Sequence, residues 1–181
     1  MPAPDERPAL PPAMRALVAG YDVTPATAGE SGASVVRLHA PGRPTCYLKS
    51  ATGEGARAIV DEAERLHWLD GRAGAPSVVA VASTPEGAFL LTAAVAGASA
   101  RERLSSRASD AEAIAAALGR HLGVVHALPP GDCPFDAAPT LRLAAARRNV
   151  AAGLVDASDF DDDHIGTFRA ILCIDRPRGE G

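Results

Sequence analysis

The chain has 181 residues, 47% hydrophobic but only 4% aromatic, which fits one domain with a core of Leu, Val, Ile and Ala. Its formal net charge of -4 argues against nucleic acid or an anionic membrane surface as a partner. Three scattered cysteines make neither a disulfide framework nor a zinc site and fit a reducing cytoplasm, and no apolar run reaches the ~18 residues of a membrane helix.

Residues 1–19 are Pro-rich, carry acids, and lack the basic start and apolar core of a signal peptide. They read as a flexible leader. "YDVTPATAG" from Tyr21 and "SVVRLHA" from Ser34 read as two strands joined through Gly29 to Gly32, and "RPTCYLKS" reads as a third. Their β-branched and aromatic residues, bounded by Gly and Pro, are the strand signal. "GEGARAIVDEAERLHWLDGR" reads as a helix, with Ile59, Ala63, Leu66 and Leu69 at helical spacing and Gly71 as a stop. "PSVVAVAS" and "GAFLLTAAVAG" read as two further strands around a "TPEG" turn.

After residue 97 the chain turns helical. Ser109 with Glu112 makes a capping-box pattern ahead of Ile114, Leu118, Leu122 and Val125, until "LPPGD" breaks the helix. "PTLRLAAARRNVAAG" reads as another helix, with Gly153 past its end. An acidic run, "VDASDFDDDH", follows. A sheet followed by helices predicts an α+β protein with segregated parts, namely a leader (1–19), a sheet-containing lobe (20–97) and a helical part (98–181).

Three features in the sheet region carry chemistry. The turn Gly29-Glu30-Ser31-Gly32 joins two strands with small residues, so bare backbone N–H groups can approach a phosphate. It is neither a Walker A loop nor a dinucleotide fingerprint, because a strand follows it, and a hairpin without ligand is the alternative. Lys49 is the single lysine among 18 cationic residues. An ammonium is a compact point charge for a phosphate where a planar guanidinium fork does not fit. Glu62 falls on the apolar stripe of the predicted helix, where a carboxylate is costly unless paired. Lys49, on the preceding strand, is the expected partner, with a frayed edge position as the alternative.

Glycine loop, third-strand lysine and helix glutamate occur in the order found in a protein-kinase N-lobe. On that pattern Ala93, Ala94 and Val95 form the segment whose backbone receives adenine, an ordinary strand end being the alternative. The pieces "GESGASVVRL", "YLK", "DEAERLHWL", "LLTAAVAG", "LHALP", "CPF" and "GLVDASDFDDD" together resemble the aminoglycoside 3'-phosphotransferases, or kanamycin kinases, over roughly residues 20 to 163. The resemblance implies a protein-kinase-like fold, in which an antiparallel five-stranded N-lobe with one helix precedes the first helices of an incomplete helical C-lobe. It implies ATP with Mg2+, and transfer of the γ-phosphate to an antibiotic sugar hydroxyl. By that similarity Ser31 and Gly32 lie over the phosphates, Lys49 contacts them, and Glu62 holds Lys49. Asp159 and Asp162 in the acidic run face the polycationic drug, a solvated acidic turn being the alternative.

The family pattern continues with a His-Gly-Asp catalytic loop and a later Ile-Asp-x-Gly-Arg metal element. None of the five histidines is followed two residues later by Asp, and Ile174-Asp175 lacks the element's glycine. The likeness is expected to stop near residue 164, as in a truncated or frame-shifted reading frame. No catalytic residue and no magnesium ligand is therefore assigned, and a catalytically impaired kinase is the expectation. Rival readings are a non-catalytic nucleotide-binding fragment, or a small-molecule kinase for choline, homoserine or a sugar.

Overall fold

The computed structural model describes residues 9–26, 33–106 and 110–153. β1 (Asp22–Pro25), β2 (Ser34–His39), β3 (Cys46–Ala51), β4 (Val78–Thr84) and β5 (Gly87–Ala93) form one sheet in the order β1-β2-β3-β5-β4. Every pair is antiparallel. The five strands and their direction are those expected. β3 lies at the centre with ladder partners on both sides, which restrains its backbone. The β4–β5 turn is tight because Thr84 works on both sides of it. Its Oγ1 donates to the Gly87 carbonyl at 3.3 Å and accepts the Glu86 amide at 3.2 Å.

Alternation along the strands gives the sheet two different faces. On one, Val36, Leu38, Cys46, Leu48, Phe89 and Leu91 pack with Met14. On the other, Ala51, Ala88 and Leu90 meet Ile59 and Ala63 of α2 (Gly53–Leu69). Small side chains on β3 and β5 let α2 approach closely. α2 ends where the periodicity places its end, with Gly71 at φ 68.

The segment read as a flexible leader contains a helix, α1 (Pro12–Val18), with Met14 only 2% exposed. Pro12 sits at the start of that helix, where a missing N–H costs nothing and a fixed φ helps. Arg43 fastens the end of the segment. Its guanidinium donates to the Ala19 carbonyl at 2.7 Å and lies 4.0 Å over the Tyr21 ring.

After the sheet come α3 (Ala100–Ser106) and α4 (Ala111–His126). The helix cap that forms is not the one expected. Ser109 lies outside the described residues, and Asp110 precedes α4 without a side-chain cap bond. The reciprocal cap belongs to α3. The Ser99 amide donates to Glu102 Oε2 at 2.7 Å, and the Glu102 amide donates to Ser99 Oγ at 3.2 Å. These bonds hold the Glu102 carboxyl below its ordinary pKa, the Ser99 amide being the largest cause.

The chain divides into two compact units, Met1–Gly131 and Asp132–Gly181. Within the second unit α5 (Pro139–Ala151) starts with Pro139, and Gly153 at φ 67 follows its last turn, as expected. No described helix is long and apolar enough to cross a membrane.

The helical spacing of α4 is borne out, but no residue of it is buried; Leu118 and Leu122 are exposed. Truncating Leu118 to Ala should therefore change the unfolding free energy by less than about 0.5 kcal/mol. Ile59→Ala, at a site 1% exposed, should cost about 2–5 kcal/mol by the same denaturant titration. A lowered carboxylate pKa stabilises above the unfolded-state value, and the benefit is lost as pH falls through the folded-state value. Glu102→Gln, which removes the charge, should therefore weaken protection of the α3 amides near pH 7, and the difference from the parent should shrink as Glu102 of the parent protonates.

Candidate functional site

Lys49 projects from the face of β3 on which α2 lies. In register its strand neighbours are Val35 on β2 and Leu90 on β5, which offer no charge. Glu62 comes from α2, one turn before Leu66 and next to buried Ala63. The Lys49 ammonium donates to Glu62 Oε2 at 2.6 Å, so the sequence-predicted pair forms. Their side chains are 24% and 42% exposed. Glu62 therefore stands at the rim of the seam, facing the sheet, and not inside the apolar stripe as the helical wheel suggests. An ion pair this exposed contributes about 0.3–1 kcal/mol to stability after solvent screening. Its larger consequence is positional, because a long flexible side chain acquires one direction.

Ala93 ends β5, and Ala94 and Val95 follow it. The Ala93 amide donates to the Ser77 carbonyl and the Ala94 amide to the Thr45 carbonyl, both at 2.9 Å. These bonds tie the strand exit to its two neighbouring segments. Val95 is exposed, and among the described residues no partner takes its amide. Of the three backbone positions expected to meet a base, Val95 is thus the one with a donor to offer. That distinction depends on hydrogen bonding at a strand end, and no sequence pattern signals it.

Ser31, Gly32, Asp159 and Asp162 lie outside the described residues, as does Asp175. Among the described residues no three His, Cys, Asp or Glu side chains gather into a metal site.

Comparison with known proteins places this geometry. A sequence profile of the phosphotransferase enzyme family matches residues 22–178, continuing past residue 164, where the likeness was expected to stop. An aminoglycoside 3'-phosphotransferase of Escherichia coli is 37% identical over 161 residues, covering 88% of this chain and 59% of that protein. The chain thus spans about three-fifths of the length of this relative. The crystal structure of a type VIII aminoglycoside-3'-phosphotransferase superposes with a TM-score of 0.70 at 31% identity, over 93% of this chain and 63% of that one. An aminoglycoside phosphotransferase of Streptomyces rimosus in complex with ADP and streptomycin gives a TM-score of 0.58 at 26% identity, over 82% of this chain and 52% of that one. These likenesses show the kinase-like fold, of which the chain covers part.

In a double-mutant cycle, Lys49→Met and Glu62→Gln should show a coupling of about 0.3–1 kcal/mol in unfolding free energy. The coupling should fall as salt is raised toward ~1 M. Lys49→Arg should restore less than full coupling, because a fork replaces a point charge.

Proposed function

As the chain belongs to the phosphotransferase enzyme family, we propose that it carries the nucleotide-gripping part of an ATP-dependent aminoglycoside O-phosphotransferase, a kind of enzyme that confers antibiotic resistance. The observation that carries this reading is the 2.6 Å contact between Lys49 and Glu62 on a five-stranded antiparallel sheet. In this reading Lys49 receives the α and β phosphates of ATP, and Glu62 fixes the direction of the ammonium. Ser31 and Gly32 lend backbone N–H groups over the phosphates. The strand exit at Ala93, Ala94 and Val95 receives the adenine, chiefly through the Val95 amide. Asp159 and Asp162 attract the polycationic acceptor.

Two charges guide the nucleotide. The ammonium offsets phosphate charge, and the carboxylate keeps that ammonium from turning to solvent. Magnesium, when bound with ATP, supplies further neutralisation of phosphate charge. The residues that this reading assigns contribute binding and orientation. Proton removal from an acceptor hydroxyl needs an acid placed within hydrogen-bond reach, and the sequence has no His-Gly-Asp to supply it. ATP binding without efficient transfer is accordingly the expected behaviour, at a cost of several powers of ten in rate. A non-catalytic nucleotide-binding fragment is the second reading, and the same missing loop favours it.

Saturating MgATP should raise the melting temperature of the protein by several degrees, as binding at ~100 times Kd contributes about 2.7 kcal/mol. Lys49→Ala should abolish that rise while leaving the ligand-free melting temperature within a few degrees. Label transfer from ATP to kanamycin should stay at background. Transfer above background would show that the chain is a working kinase and not an impaired one.

A further inference from the structure

The sheet face opposite Lys49 holds a cavity of about 290 Å³. Leu10 and Val18 of the N-terminal segment close one side, and Val36, Leu38, Leu48 and Phe89 of the sheet form the other. Such walls do not favour water, and an apolar cavity of ~150 Å³ already admits a benzene-sized guest. Two hydroxyls break the apolar lining, those of Ser34 and Ser50, which are directly paired between β2 and β3.

Ser50 is the unusual residue. It is the one buried polar or charged residue among the described residues, 7% exposed, in a strand that otherwise presents Cys46 and Leu48 to this side. Among the described residues, none makes a hydrogen bond with its side chain. No side-chain nitrogen or oxygen of the described residues is both sealed from solvent and unpartnered. The Ser50 hydroxyl therefore keeps its access through the cavity that it lines.

The geometry points to a binding site for a small neutral amphiphile, its apolar body against Val36, Leu38, Leu48 and Phe89 and its hydroxyl or carbonyl between Ser34 and Ser50. A charged head does not suit the site, because none of its lining residues is ionisable. The site is separate from the nucleotide reading, since its residues alternate with Lys49 and point to the other side of the sheet. Failure of one reading leaves the other standing.

The test titrates the full chain with p-butylphenol and with butylbenzene, which differ by one hydroxyl, and follows the backbone amide resonances by NMR. Both probes should perturb the amides of Val36, Leu48, Ser50 and Phe89. The phenol should bind about 2–12-fold more tightly, the worth of one neutral hydrogen bond. Ser50→Ala should remove most of that preference while leaving butylbenzene affinity unchanged. Val36→Phe should fill the space and weaken both probes, and Ser50→Ala, which removes a single atom, carries the test where the filled variant does not fold. The proposal is overturned by no binding below millimolar concentrations, by perturbed amides elsewhere, or by a phenol preference that Ser50→Ala leaves intact.

Discussion

The ion pair between Lys49 and Glu62 spans 2.6 Å across the seam between sheet and helix, and the nucleotide reading depends on it. Each half of the pair is fixed by ordinary packing. β3 is held by ladders on both sides, so the root of Lys49 cannot drift. α2 is set by Ile59 and Ala63 against Ala51, Ala88 and Leu90, so the root of Glu62 cannot drift either. The exposed ends then need only modest electrostatic energy to meet. Apolar packing thus supplies the precision that a screened surface charge cannot supply by itself.

The pair was legible because it breaks two local expectations. A lone lysine stands in an arginine-rich chain, and the helical wheel sets a carboxylate among the apolar residues of α2. Strand composition and Gly/Pro punctuation likewise gave all five strands. α1 was hidden for a physical reason. Its prolines suggest a disordered tail, yet Pro12 is well placed at a helix start and Met14 is a core residue. Seven residues are too few for a periodic pattern, so tertiary contact decides their conformation. The Ser99–Glu102 cap has the same S-x-x-E spacing as Ser109–Glu112, and nothing local separates the two. α4 shows the opposite limit. Its apolar spacing predicts a helix correctly, but spacing carries no information about whether another surface covers that face.

The sheet has separate uses for its two sides. The α2 side carries charge, and the α1 side carries apolar bulk interrupted at Ser34 and Ser50. A strand of period two can serve both at once, as Leu48, Lys49 and Ser50 do in succession. Mutations on β3 are therefore expected to separate by parity. Odd positions disturb the charged seam, and even positions disturb the core below it.

That the chain contains a single lysine makes one observation especially direct. Protein grown with isotope-labelled lysine gives one side-chain ammonium signal, and that signal is Lys49. The account requires the signal to move when Glu62 is replaced by Gln, and to move again when ADP is added to the parent protein. A Lys49 resonance indifferent to both the loss of the carboxylate and the arrival of the nucleotide would contradict it.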